Sequence, residues 1–330
     1  MSITRTQLVY VFGLGLLVAL PFLGAYPVFV MKVLCFALFA CAFNLLIGYT
    51  GLLSFGHAAF FGGAAYAAGY SMKAWGLPTP IGLAFGVLVA AGLGLVFGWL
   101  AIRRSGIYLT MITLALAQMV YFFCLQAPFT GGEDGLQSVP RGTFLGLSLQ
   151  DDLRLYYVVV GTFALGFLAI DRIVHSPFGQ VLKAIRENEP RAVSLGYDVD
   201  RFKLLAFVLS AALAGLAGGL KTAVLGFATL TDVLWTTSGA VILMTLVGGM
   251  GTMVGPILGA AIVVALESKV GDLGTALAQL TGIEWFNALG ESVTIVTGLI
   301  FVACVSVFRQ GIVGELPGLL RRLLPGRTST

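Results

Sequence analysis

Charged and metal-ligating side chains are scarce in this chain. Only 10% of its 330 residues are Asp, Glu, Lys or Arg, and its two histidines are His57 and His175. Neither histidine has a Cys, Asp or Glu partner at the spacing of a metal site. The cysteines lie in apolar segments without a CxxC spacing, which favours buried thiols; they are Cys35, Cys41, Cys124 and Cys304. The sequence therefore predicts neither a metal site nor an enzyme active site.

Motifs for nucleotide binding are also missing. No GxxxxGK[ST] phosphate loop occurs, and the glycine pairs at 13–15 and 92–94 lack the later glycine and the strand context of a dinucleotide fingerprint. No Asp or Glu lies in the middle of an apolar run, so there is no candidate proton relay. We expect no cofactor on this chain, and another subunit must bind any nucleotide that drives it.

Apolar sequence fills most of the chain. Hydrophobic residues make up 58% of it, and the mean hydropathy of +0.98 is far above the range of soluble proteins. A membrane-spanning helix needs about 20 apolar residues, so the long charge-free runs predict an all-α polytopic membrane protein. These runs are Leu8–Met31, Val33–Met72, Ala74–Ile102, Ser105–Gly132 and Val233–Leu266.

About eight full spans are predicted, and together they form a single transmembrane domain over residues 1–330. They lie near 8–24, 28–49, 58–76, 81–101, 106–127, 155–174, 204–225 and 288–308. Lys and Arg cluster in the loops on the side of Arg5 and in the tail 309–330, which the positive-inside tendency assigns to the cytoplasm. Loop 128–154, with four acidic and two basic residues, falls on the extracytoplasmic side. Both termini are thus predicted to be cytoplasmic.

Glycines interrupt the apolar runs at 48–57 and at 248–251. The second interruption leaves a first piece too short to span at about 1.5 Å per residue, which predicts a broken, re-entrant element. Paired interruptions in the two halves of a chain are expected of an inverted repeat whose breaks line a substrate path. Alternatively, such glycines serve only close helix packing, the role predicted for Gly215 and Gly219, which follow Ala211 at four-residue spacing.

An amphipathic, charge-dense segment occupies 175–203. Its first part has apolar residues at the spacing of one helix face: Phe178, Val181, Leu182 and Ile185. Ser176 is a good N-cap before Pro177, a second short turn ends at Gly196, and Asp200 is the predicted cap of the next apolar helix. The segment is either a contact surface for a partner or an ordinary cytoplasmic loop.

Five blocks, in order, resemble the LivM-type permease subunits of branched-chain amino acid ABC transporters over nearly the whole chain. The blocks are 48–51 with 54–60, 106–108 with 113–115, 130–136, 176–179 with 184–189 and Gly196, and 248–252 with 255–256. The resemblance implies a fold like that of type II ABC importers and a transporter subunit in the bacterial plasma membrane, translocating neutral aliphatic amino acids.

The same resemblance implies partners and site residues. The expected partners are a homologous second permease (LivH-type), two ABC ATPase subunits that use ATP, an extracytoplasmic solute-binding protein and membrane lipid, without nucleic acid. The translocation path is expected at Thr50, Gly51, Ser54, Gly56, His57, Tyr108, Thr113, Gly248, Gly249 and Gly251. The loop 175–203 is expected to couple to the ATPase through Phe178, Ile185, Arg186, Glu187, Glu189 and Gly196.

Two departures from the family pattern concern the cargo. Residues 227–231 lack the proline expected before the second broken element, and 308–311 lack the proline usual after that arginine. Close relatives of the family move urea, short amides or aromatic acids, and these remain alternative cargoes. A passive channel for a small neutral solute is the alternative from another class, with a membrane-embedded enzyme third.

Overall fold

The computed structural model describes residues 5–24, 26–144, 146–281, 298–299, 302 and 311–314. Its helices are α1 (Arg5–Ala19), α2 (Pro27–Thr50), α3 (His57–Ala74), α4 (Thr79–Ala101), α5 (Ile107–Gln126), α6 (Asp152–His175), α7 (Pro177–Glu187), α8 (Glu189–Ser194), α9 (Val199–Leu225), α10 (Trp235–Gly248) and α11 (Gly255–Thr281). Short 3₁₀ turns cover Leu20–Leu23, Pro128–Thr130, Gly132–Asp134 and Leu230–Asp232. Strands β1 (Thr143–Phe144) and β2 (Leu147–Ser148) pair as an antiparallel hairpin.

Among the described residues, five helices are long and apolar enough to cross a membrane: α2, α4, α5, α6 and α9. Each coincides with a predicted span. The predicted spans at 8–24 and 58–76 are largely helical as α1 and α3, which fall outside that set. The last predicted span, 288–308, and the tail lie almost wholly outside the described residues. The all-α polytopic fold is confirmed, whereas the number of spans and their orientation stay predictions.

Helices α2 and α9 lie at the centre of the bundle. The Phe43 ring on α2 is fully buried, and α9 packs against α2, α3 and α4. Small residues set these contacts, since a Cβ atom at Gly215 would lie 3.1 Å from the Ala64 Cβ atom, and one at Gly219 would lie 2.9 Å from a Leu83 methyl. The predicted packing role of these glycines is confirmed, because helix backbones approach this closely only over small residues.

Polar side chains begin the helices at the end of the bundle that carries α7 and α8. The Ser176 hydroxyl accepts a hydrogen bond from a backbone N–H of the first turn of α7 at 3.3 Å. Asp198 accepts from the Arg201 backbone N–H at 3.3 Å. The cap predicted at Ser176 is therefore confirmed, whereas the cap predicted at Asp200 is wrong. Helix α9 begins one turn earlier than its apolar run, and Asp198 caps it.

At the other end of α9, the connection between α5 and α6 lies over the bundle. Leu136 and Ala228 exchange two backbone hydrogen bonds of 2.9 Å, and the Val139 N–H donates to the Gly226 carbonyl at 2.8 Å. These bonds tie the segment after α5 to the segment after α9.

Candidate functional site

The first glycine interruption is the connection between α2 and α3. Gly51 follows the last residue of α2 with φ of +78°, which glycine adopts without steric cost. Its N–H donates to the Ile47 carbonyl at 3.2 Å. The chain then runs irregularly to Gly56 before α3 begins at His57.

Side chains from two other helices pair the backbone of this connection. The Phe55 N–H donates to the Thr113 hydroxyl on α5 at 3.2 Å, and the Ala58 N–H donates to the Ser238 hydroxyl on α10 at 2.9 Å. Ser54 and Thr113 are fully buried. These two N–H groups are thus paired by protein, as irregular backbone inside a membrane bundle requires.

His57 holds the start of α3 against α2 and α9. Its Nε2 atom lies 2.9 Å from the Ser210 hydroxyl, and that hydroxyl donates to the Ala42 carbonyl at 2.6 Å. Because the hydroxyl has one proton and donates it to Ala42, Nε2 of His57 is the donor to Ser210. The ring also packs edge-on against Phe43 at 4.9 Å. This geometry fits a residue that steadies the connection.

The second interruption separates α10 from α11. Helix α10 ends at Gly248, and Gly249 and Gly251 follow with φ of +123° and +80°. The Thr252 hydroxyl donates to the Gly249 carbonyl at 2.8 Å and accepts from the Gly255 N–H at 3.1 Å. The break predicted at 248–251 is confirmed.

Asn44 joins the second interruption to α2, and sequence reasoning missed it. Its side-chain oxygen accepts from the Gly251 N–H at 2.9 Å, and its side-chain nitrogen donates to the Thr252 carbonyl at 2.8 Å. Asn44 is 2% exposed. The signal available in the sequence was a lone amide inside a charge-free run, since buried polar groups in membrane helices have partners.

Helix α7 reaches this junction through Arg186. The guanidinium Nη1 donates a hydrogen bond to the Gly48 carbonyl near the end of α2. The same nitrogen lies 3.2 Å from the position of a Cβ atom at Gly251, and the Arg186 Cγ atom lies 3.2 Å from that of a Cβ atom at Gly51. Both interruptions therefore meet beside one side chain of α7.

The predicted apolar face of α7 packs against the chain itself. Leu182 and Ile185 are 0% and 3% exposed, and the Phe178 ring stacks on Phe202 at 5.6 Å. Leu182 and Ile185 therefore have little surface left for a partner. Arg186 and Glu187, in contrast, are exposed.

The exposed apolar residues of this region lie on and after α8. Val193 and Leu195 are 57% and 68% exposed. Gly196 follows with φ of +88°, which ends the short helix. Glu189, at the start of α8, forms an ion pair of 2.6 Å with Lys203 of α9. The pair holds α8 against α9 and leaves the apolar side chains projecting.

The predicted path residues fall into two groups that the fold brings together. The group at the first interruption comprises Thr50, Gly51, Ser54, Gly56, His57 and Thr113, and the group at the second comprises Gly248, Gly249 and Gly251. Tyr108 belongs to neither group and is 68% exposed on α5. Assignment of these residues to a translocation path stays a prediction.

A buried ion pair at the far end of α9 also escaped the sequence reasoning. Lys221 Nζ lies 2.6 Å from Asp232 Oδ2, with side chains 5% and 8% exposed. Asp232 accepts in addition from the Thr229 N–H at 2.9 Å. In the sequence each of the two residues borders an apolar run. Only the folded chain brings their side chains together, so the pair could not be predicted from spacing.

The matches to known proteins agree with this architecture. Residues 28–305 match the family described as branched-chain amino acid transport system / permease component. The chain belongs to this permease family. The resemblance seen in the five sequence blocks is thus confirmed, and the permease is a multi-pass membrane protein of apolar helices.

Relatives of this permease carry two kinds of name. The high-affinity branched-chain amino acid transport system permease proteins LivM of Salmonella typhimurium and Escherichia coli are each 29% identical over 290 residues, covering 80% of this chain and 68% of theirs. The autoinducer 2 import system permease protein LsrC of Klebsiella pneumoniae is 31% identical over 188 residues, covering 54% of this chain and 50% of that protein. No solved structure matches the chain.

Proposed function

We propose that this chain is a permease subunit of an ABC importer that carries branched-chain amino acids across the bacterial plasma membrane. The observation that supports this most is the family match over residues 28–305. In this proposal separate ATPase subunits hydrolyse ATP, a homologous second permease completes the pore, and an extracytoplasmic binding protein delivers the solute. The chain itself binds no cofactor, and both of its termini are cytoplasmic.

The distribution of buried charge supports a neutral cargo. Among the described residues the buried cations Lys203 and Lys221 are both paired, with Glu189 and Asp232. An unpaired charge buried in the bundle would be costly. In the part of the chain that the structure describes, no unpaired buried charge would then oppose the passage of a solute without net charge.

Helix α5 is the proposed wall of the pore. Of the five long apolar helices it has the smallest buried share, 22% of its most apolar window. Its exposed side chains recur at spacings of three and four residues and so form one stripe: Tyr108, Met111, Ala115, Met119 and Phe122. Thr113 on the opposite side of α5 holds the first interruption. In the proposal this stripe faces the second permease across the solute path.

The α8 region is the proposed contact for the ATPase. Val193 and Leu195 project from a segment rich in charged residues. Exposed apolar side chains ringed by charge are typical of a protein interface. In this proposal the buried face of α7 packs beneath the contact surface. Gly196 allows the sharp turn that follows α8.

A second cargo class has specific support. The LsrC relative named above is an autoinducer 2 import permease, so one relative of this chain is named for a cargo other than branched-chain amino acids. Urea, short amides and aromatic acids remain candidate cargoes, because residues 227–231 and 308–311 lack prolines that the family pattern has. A passive channel for a small neutral solute is the less favoured alternative.

Uptake into cells that express the complete transporter tests the cargo and the mechanism together. Labelled leucine, isoleucine and valine should enter in a manner that requires this chain and an active ATPase. Urea, acetamide, benzoate and autoinducer 2 form the comparison panel, and cells lacking the chain are the control. Preferential uptake of a panel member would replace the cargo, and uptake that persists with an inactive ATPase would replace the importer with a channel.

A further inference from the structure

One side chain of α7 contacts both glycine interruptions. Arg186 donates to the Gly48 carbonyl, and its atoms fill the spaces that side chains at Gly51 and Gly251 would otherwise take, at 3.2 Å in each case. Both glycines also have positive φ. Glycine therefore suits each position for two reasons: the backbone has positive φ, and Arg186 occupies the space that a side chain would need.

The chemistry of a helix end explains why a guanidinium lies there. The last carbonyls of α2 have no partner within the helix, and the end of the helix carries partial negative charge. Gly51 and Leu52 donate to the carbonyls of Ile47 and Leu46. Arg186 supplies the donor for Gly48, one residue further along, with a charge-assisted hydrogen bond.

Asn44 extends this contact to the second interruption. It lies one turn before Gly48 on α2 and holds Gly251 and Thr252 by two hydrogen bonds of 2.9 and 2.8 Å. Arg186 and Asn44 thus connect α7, the end of α2 and the α10–α11 junction in one contiguous set of contacts.

We infer that Arg186, an exposed residue whose guanidinium reaches the Gly48 carbonyl, is a latch that transmits movement of α7 to both glycine interruptions. It acts through these contacts within the chain and not as a contact for the ATPase. The inference rests on the proposed function in one respect, namely that α7 moves when the ATPase subunits move. A shift of α7 withdraws the guanidinium from Gly48 and frees Gly51 and Gly251 to change conformation. Arg186 is in this sense a positioning residue for transport.

Hydrogen exchange on the isolated, full-length chain in detergent tests the contacts of the latch without any partner. Arg186→Ala should accelerate amide exchange in 247–255 several-fold. The variant removes the packing beside Gly251, and it removes the hydrogen bond to Gly48 at the end of α2, from which Asn44 holds Gly251 and Thr252. Arg172→Ala, at an exposed position in the last turn of α6, is the matched control and should leave that segment unchanged. Exchange in 247–255 that is the same in both variants overturns the latch.

The assembled transporter tests the consequence for coupling. Arg186→Ala should retain the ATPase subunits and still hydrolyse ATP, yet move several-fold less solute per ATP. Arg186→Lys keeps the charge near Gly48 and should recover part of that ratio. Asn44→Ala should give the same uncoupling, and the double variant should be no worse than the more severe single variant, because the two residues act as one unit.

The outcomes separate the latch from the proposed function. An Arg186→Ala complex that loses its ATPase subunits while exchange in 247–255 stays slow assigns Arg186 to docking and overturns the latch. Normal solute per ATP in that variant also overturns it. A wild-type complex that neither imports solute nor responds to it overturns the proposed function, while the exchange experiment still decides whether Arg186 holds the interruptions.

Discussion

Glycine at position 215 sets the distance between α9 and its neighbours. A Cβ atom there would lie 3.1 Å from the Ala64 Cβ atom of α3 and closer still to Ala90 of α4. Gly161 on α6 is a natural comparison, because nothing lies within 4 Å of the Cβ position. The two glycines share a helical backbone and differ in what surrounds them.

Gly215→Val should therefore destabilise the permease, whereas Gly161→Val should not. Overpacking of a tight helix contact costs about 1–3 kcal/mol, and any effect of valine on the helix itself is common to both variants. Thermal unfolding in detergent, compared between the two variants and the parent protein, measures the difference. Equal midpoints for both variants would contradict the packing role of Gly215.

The ion pair between Lys221 and Asp232 is the other residue-scale feature with a measurable energy. Both side chains are less than 10% exposed, and Lys221 also lies over the Phe227 ring at 4.9 Å. Removing one partner of a buried pair leaves the other charge without compensation, at a cost of about 3–5 kcal/mol. Removing both charges avoids that cost.

Lys221→Met alone should lower the thermal midpoint far more than Lys221→Met combined with Asp232→Asn. The asparagine oxygen can still accept from the Thr229 N–H, which holds the turn in place. Unfolding midpoints of the two singles and the double form a double-mutant cycle. A double variant that loses as much stability as the sum of the singles would show that the charges do not interact.

At the scale of elements, the apolar runs made the long helices predictable. The partners of the buried polar side chains depended on tertiary contacts. The break after Gly248 followed from glycines that end a helix too short to span. Helix α9 begins before its apolar run because its first turn is amphipathic, so Asp198 and not Asp200 is the cap. The lone amide of Asn44 could be noticed in the sequence, but its partners could not be predicted, since they lie more than 200 residues along the chain.

Helix α7 shows the same limit for the site. Its helical spacing predicted an apolar face correctly, but spacing cannot say whether that face meets a partner or the chain itself. The structure places Ile185 against Ala192 and Val199 and leaves Leu195 exposed. Two truncations at the same end of the bundle should thus have different effects.

Ile185→Ala should lower stability by about 2–4 kcal/mol, the range for truncation of a buried aliphatic side chain. Leu195→Ala should leave the unfolding midpoint within error and weaken retention of the ATPase subunits. Thermal unfolding of the isolated chain and co-purification of the complex measure the two effects. Reduced retention with Ile185→Ala but not with Leu195→Ala, at equal stability, would return the docking surface to α7.

At the scale of the whole molecule, the bundle is unevenly covered. Helix α2 has 78% of its most apolar window buried, α4 has 39% and α5 has 22%. Lipid can cover the exposed side of α4, which carries large apolar side chains such as Leu88. The exposed stripe of α5 lies on a helix whose other side holds the first interruption through Thr113. Because α5 contacts the first interruption, which is part of the proposed solute path, we favour α5 as the helix that faces the second permease.

Met119 on α5 and Leu88 on α4 allow a matched test, because they are 68% and 69% exposed near the middle of their helices. A photo-activatable cross-linker attached to Met119→Cys should form an adduct with the second permease in membranes that contain the assembled transporter. The same group on Leu88→Cys should react with lipid alone, since α4 is proposed to face the bilayer. The parent protein is the labelling control, because it carries Cys304 as well as the buried Cys35, Cys41 and Cys124. Adducts with the second permease from Leu88→Cys and none from Met119→Cys would move the pore wall from α5 to α4.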